Sequence, residues 1–220
     1  GSITKGKPVI VRTDGDFAEV NETTVSSSQG TAGDITEAYR YGCMTYDLDE
    51  DKYLYFYKGW TGSESGKLCY RLGTPSGSGT SATITWGSQT ELISGVYAED
   101  TDQSISACYD STNKKTVVVY ESALSAQLRS TVVTISGTTV TATSEVTIDT
   151  NNPSQIGVVY ASNYNKVIAV WYYGSTYRAS IGTIVAGVIS WTSPINSSVG
   201  TIGAGFSTTY DASQNAVVIT

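Results

Sequence analysis

The sequence predicts an all-β protein with a propeller-like architecture, built from four-stranded repeats of about 50–60 residues. Three observations predict it. Among 220 residues there are 22 Gly, 16 Tyr and a single Met, with abundant Ser and Thr and few Leu or Glu. Such a composition favours strands and turns over helices. A tyrosine-anchored block recurs along the chain. Runs such as "TVVVY" and "VIAVW" are apolar throughout rather than alternating, as strands packed on both faces require.

The block is first seen in "TYDLDEDKYLYFY", Thr45 to Tyr57. Its relatives are "ACYDSTNKKTVVVYES" from Ala107, "VVYASNYNKVIAVWYYG" from Val158 and "TTYDASQNAVVIT" from Thr208. The anchors Tyr46, Tyr109, Tyr160 and Tyr210 are spaced by 63, 51 and 50 residues. Each anchor ends one short β run, and a polar turn leads into the next: Tyr53–Tyr57, Thr116–Tyr120, Val167–Tyr173 and Ala216–Thr220. That pattern is a hairpin. Third runs follow ("KLCYRLGT", "LRSTVVTIS", "YRASIGTIV"), then fourth runs ("ATITWGSQTELI", "TVTATSEVTID", "VISWTSPIN"). Trp86 and Trp191 match in the fourth run, with Ala142 between them. A β-sandwich or solenoid is the competing architecture.

The expected organisation is one all-β repeat domain. It comprises an N-terminal hairpin (1–22), a Ser/Thr/Gly-rich loop (23–37), repeats at 38–94, 103–150 and 154–198, and a half repeat at 203–220. The hairpin "KPVIVRTDGDFAEV" turns at Asp14-Gly15. The last repeat lacks two strands and the hairpin supplies two, so the hairpin is expected to close a ring of four blades and remove its exposed edges. The rival is a fragment of a longer chain. The start at Gly-Ser rather than Met points to processing, tagging or a fragment.

Charge and composition narrow the chemistry. With 13 basic and 20 acidic residues and no Lys/Arg cluster, nucleic acid is not an expected partner. The longest apolar run, Val167 to Tyr173, is too short to insert into a membrane as a helix. Histidine is absent, which removes Ser-His-Asp and Cys-His catalysis and His-ligated zinc. Cys43, Cys69 and Cys108 read as buried thiols in strands, with a Cys43–Cys108 pair open if their strands prove adjacent.

Four constellations remain. Asp47, Asp49 and Asp51 alternate as in calcium loops, but the glycine and the closing glutamate of such a loop are missing. An inter-strand turn is the plainer reading. Arg71, Arg129 and Arg178 fall in the third runs; they pair locally or converge on a carboxylate, as in sialidases. The corresponding third-to-fourth connections lack the Asp of a sialidase Asp-box, and no pair of hydrolytic carboxylates is assignable, so no enzyme and no cofactor is expected. Trp60, Tyr97, Tyr173 and Tyr177 lie in or beside loops expected on one face of the blades. There they stack on a glycan or anchor a protein, unless they pack between blades. Asn21-Glu22-Thr23 and Asn196-Ser197-Ser198 match the glycosylation pattern but carry no weight without a secretory signal.

The blocks "GKPVIVRTDGDFAEV", "YDSTNKKTVVVYES" and "ITWGSQTELIS" resemble the β-propeller-type repeats of tailed-bacteriophage virion proteins, tail fibres especially. The resemblance implies a non-enzymatic virion part made in the host cytoplasm. Its partners would be copies of itself, other virion proteins, or a host-surface glycan or protein. A lectin-like glycan-binding propeller is the first alternative and a sialidase-like glycoside hydrolase the second.

Overall fold

The computed structural model describes residues 9–11, 17–19, 42–59, 65–77, 82–94, 98, 104–197 and 205–220. The chain divides into two units, Gly1–Thr36 and Glu37–Thr220. In the first, β1 (Val9–Val11) and β2 (Phe17–Glu19) form an antiparallel pair. The Asp14-Gly15 turn and the Thr23–Gly33 stretch lie outside the described residues.

The second unit is a series of antiparallel sheets. Sheet 1 contains β3 (Cys43–Asp47), β4 (Lys52–Lys58), β5 (Leu68–Ser76), β6 (Thr83–Trp86) and β7 (Thr90–Glu91). Sheet 2 contains β8 (Ile105–Asp110), β9 (Lys115–Ser122), β10 (Gln127–Ser136), β11 (Thr139–Ala142) and β12 (Val146–Asp149). Sheet 3 contains β13 (Ser154–Ala161), β14 (Lys166–Tyr173), β15 (Thr176–Val185), β16 (Val188–Trp191) and β17 (Ile195–Asn196). A two-stranded sheet 4 follows, β18 (Thr208–Asp211) and β19 (Ala216–Ile219). The fold is all-β, with no α-helix among the described residues; a closed propeller is not shown.

Each fourth strand is broken in two, both pieces pairing with the third strand. A threonine manages the break. Thr143 Oγ1 accepts the Val132 N–H at 3.1 Å, and Thr192 Oγ1 accepts the Ile181 N–H at 3.1 Å. Sheet 1 has Gly87 at this place, with its N–H bonded to the Leu72 carbonyl at 2.8 Å. The tryptophans sit beside the breaks. Trp86 stands opposite Gly73 and Trp191 opposite Gly182, where any Cβ would lie about 2.8–2.9 Å from the indole ring. Ala142 stands opposite Val133, which needs no such space.

The four first-to-second turns share one design. Their last residues, Asp51, Lys114, Asn165 and Asn215, all have φ between 50° and 55°. Asp47, Asp110 and Asp211 each accept two backbone N–H groups from the residues two and three places on. Ala161 has no such carboxylate, and there a 3-10 turn at Ser162–Tyr164 takes over.

The sheets stack face to face, so the core lies between consecutive sheets. Leu54, Phe56 and Leu68 of sheet 1 meet Val118, Tyr120, Val133 and Ile135 of sheet 2. Cys108, Val117, Val119 and Leu128 of sheet 2 meet Val158, Ala169, Trp171 and Ile184 of sheet 3. Val170 and Tyr177 of sheet 3 meet Phe206, Val217 and Ile219 around sheet 4. This two-sided burial is what the unbroken runs "TVVVY" and "VIAVW" encode.

Candidate functional site

The acidic cluster is a turn and a latch. Asp47 is 3% exposed and is occupied by the N–H groups of Asp49 and Glu50. Asp49 reaches the next sheet, pairing with Lys114 at 2.7 Å and accepting the Tyr109 hydroxyl. Asp51 accepts the Tyr46 hydroxyl. The three carboxylates therefore point to three different partners, and no group of three metal-ligating side chains occurs among the described residues. Lys114, followed by the Tyr109 hydroxyl, holds the Asp49 carboxyl below its ordinary value, and Asp49 holds the Lys114 ammonium above its own.

The anchor tyrosines repeat this latch. Tyr160 and Tyr210 each donate to the left-handed asparagine of their own turn, Asn165 at 3.1 Å and Asn215 at 3.2 Å. Tyr160 also reaches Thr112 of the preceding sheet. Two of the residues that set the sequence period, Tyr109 and Tyr160, thus also tie one sheet to the next.

The cysteines are free thiols. Burial pushes the Cys43 thiol up to about 12 and raises that of Cys108 as well. Such thiols stay protonated and unreactive. Strands β3 and β8 are neighbours, but no bond joins the pair.

Of the four aromatic candidates, Trp60 and Tyr97 lie outside the described residues. Tyr177 is 2% exposed; its ring meets Phe206 edge-on at 5.3 Å and Tyr172 at 5.2 Å. It is a core residue, which corrects its placement as a stacking platform. Tyr173 is half-buried, and the Arg178 guanidinium lies 4.4 Å from its ring centroid.

Tyr173 belongs to the most developed polar constellation among the described residues, where sheet 2 passes into sheet 3. Asp149, 6% exposed, accepts from Arg178 Nη1 at 2.8 Å, Trp171 Nε1 at 3.2 Å, Asn151 Nδ2 at 2.7 Å and the Asn151 N–H at 3.1 Å. Burial raises its carboxyl, but the Arg178 and Asn151 bonds outweigh it and hold Asp149 below the usual aspartate range. Two irregularities build the site. Where β12 pairs with β10 the register shifts between Leu128 and Arg129, and both Ile148 and Asp149 end up in the cleft facing Trp171. A second bulge lies between Ser154 and Ile156, with Gln155 left-handed at φ 63°. Backbone held in that region is costly for glutamine and gathers at functional sites. Neither Asp149 nor Gln155 was singled out from sequence, because a bulge leaves no residue signature.

Arg129 takes the local pairing expected of it, 3.5 Å from Glu145 with Gln127 Oε1 at 3.0 Å. Glu145 also accepts the hydroxyl of the buried Tyr120; burial first, then that bond, raises the phenol's pKa. The equivalent pair in sheet 1 is Tyr57 and Gln89, at 3.1 Å.

No protein-family model and no curated protein matches the chain. Solved structures do. Two are variants of an exo-β-1,3-galactanase from Phanerochaete chrysosporium with β-1,3-galactotriose, at TM-scores of 0.46 and 0.45 and identities of 9% and 11%. Both alignments cover 70% of this chain, which spans 35% and 34% of those structures. These matches, both to glycoside hydrolases, run against the expectation that the chain is no enzyme, and that expectation is withdrawn. At TM-scores below 0.5 they assign this chain neither activity nor substrate. Nothing in them bears on the resemblance to virion repeats.

Proposed function

We propose that this chain is a glycan-binding module on a propeller-like framework, and that Tyr173, Arg178, Asp149 and Asn151 receive the sugar. One observation carries the reading: a half-buried tyrosine ring is fixed against planar polar groups at a bulged junction between sheets. A ring beside fixed donors and acceptors suits a pyranose, which has an apolar face and a hydroxyl edge. The test is a glycan array followed by titration calorimetry. Tyr173→Ala should weaken any hit at least tenfold with the fold intact; an array without hits, or a hit indifferent to Tyr173→Ala, refutes the proposal.

Glycoside hydrolysis is the second reading, favoured by Glu121 and Asp149. Both stand opposite Leu128, on strands β9 and β12. Two strand spacings put their backbones roughly 9–10 Å apart, from which side chains leaning together would bring the carboxyls within the roughly 6.5–9.5 Å used by inverting enzymes. Asp149, held ionised, is the base candidate and Glu121, 2% exposed, the acid candidate. Reducing-sugar release from an oligosaccharide panel, abolished in Glu121→Gln, supports it; no release from any member refutes it.

A further inference from the structure

A cavity of about 320 Å³ lies at the outer part of sheet 1, toward sheet 2. It is lined by Tyr70, Leu72, Thr85, Ser88 and Thr90 of sheet 1 and by Thr138 from the outer hairpin of sheet 2. We propose that this slot is a second saccharide subsite, taking one uncharged pyranose unit. It is separate from the Tyr173 site and does not rest on it.

The argument begins with a departure from the repeat. In sheets 2 and 3 a threonine at the strand break fills this place, and its hydroxyl accepts the N–H of Val132 or Ile181. In sheet 1 the same position is Gly87. The methyl and hydroxyl are gone, the slot opens, and the Leu72 N–H lacks the acceptor its two counterparts have. Neither loss is forced by the backbone. A Cβ on Gly87 would meet only the Leu72 carbonyl at 3.4 Å, an ordinary contact, and Gly87 is not among the glycines with positive φ.

The aromatic group has changed sides as well. Between sheets 2 and 3, Trp191 Nε1 bonds Ser130 Oγ at 2.8 Å and closes the wedge. Between sheets 1 and 2, the matching residues by register are Ala142 and Tyr70. The ring therefore stands on the earlier sheet. Burial raises the Tyr70 phenol's pKa, so it remains a neutral donor and acceptor.

The lining selects the ligand class. No charged side chain lines the slot, so an anion or cation would lose its water with no counter-charge. Tyr70 and Leu72 offer an apolar floor, and Thr85, Ser88, Thr90 and Thr138 offer hydroxyls that donate and accept. A pyranose matches that division: C–H groups to the floor, hydroxyls to the rim, one oxygen to the Leu72 N–H. The volume sits at the low end of small-molecule sites, roughly 300–1,000 Å³, which favours one ring over an extended chain.

Saturation-transfer NMR and calorimetry with lactose and cellobiose as probes test the assignment, with N-acetylneuraminic acid as the charged comparison. The decisive variant is Gly87→Thr, which installs the residue that sheets 2 and 3 already use. It should fold at least as stably as the parent and lose neutral-disaccharide binding at this slot tenfold or more. Thr138→Trp, on an exposed turn of the other sheet, should do the same by blocking the mouth. No transfer to either disaccharide, equal binding of the acidic sugar, or binding unchanged by Gly87→Thr overturns the proposal. Binding lost in Tyr173→Ala but kept in Gly87→Thr overturns the slot while leaving the first site standing.

Discussion

Replacing Asp149 with alanine deletes the carboxylate on which Trp171, Arg178 and Asn151 converge. The carboxylate side chain is 5% exposed and its arginine partner 20%. Removing one member of a buried ion pair costs about 3–5 kcal/mol, because the other charge is left without compensation. Arg178 keeps some water and the Tyr173 ring, so the lower end applies, about 3 kcal/mol. For a chain of this length that is a fall in Tm of about 6–12 °C. Urea titration should show a lower midpoint at unchanged m, and a double-mutant cycle with Arg178→Met should show strong coupling. A loss below about 1 kcal/mol, or additive single losses, would refute the reasoning that this cluster holds sheets 2 and 3 together. The pH dependence gives an independent check. The folded carboxyl titrates below its unfolded value. Its contribution is therefore complete above the unfolded pKa of about 3.9 and is lost as pH falls through the folded value. The stability gap between the parent and Asp149→Asn should stay constant from neutral pH to about 5 and close in stronger acid.

Three further outcomes follow from the repeats. Gly182→Ala drives a Cβ to 2.9 Å from Ile189 and Trp191, and overpacking should cost about 1–3 kcal/mol in thermal unfolding. Thr143→Val removes the acceptor of the Val132 N–H and should cost about 1 kcal/mol, with faster hydrogen exchange at Val132. Asp49→Asn weakens an exposed latch to Lys114, so any loss of stability should vanish in high salt; a salt-independent loss would place its role elsewhere.

The repeat was legible because its markers are local. An Asp or Asn turn between two β runs is encoded by residues next to one another, and the anchor tyrosines are tied to such turns. The paired Trp86 and Trp191 were legible as landmarks, but their reason was not, since the glycines that make room for them lie on another strand. Loop aromatics were less readable. Tyr173 and Tyr177 differ by four positions in sequence, yet one lies under Arg178 and the other is sealed against Phe206. Strand pairing, which sequence spacing does not report, sends them to opposite faces of sheet 3.

The sequence by itself determined the all-β class, the period, the two-sided burial of the second strands and the turn role of the Asp47–Asp51 segment. Each depends on neighbours along the chain: propensity, apolar continuity and turn chemistry. Only the tertiary structure decided which carboxylate enters the cleft between sheets 2 and 3, and that an opening lies beside Gly87. Those outcomes depend on bulges and on the stacking of one sheet against the next, where a single inserted residue or a missing hydroxyl redirects a side chain without altering the pattern of the sequence.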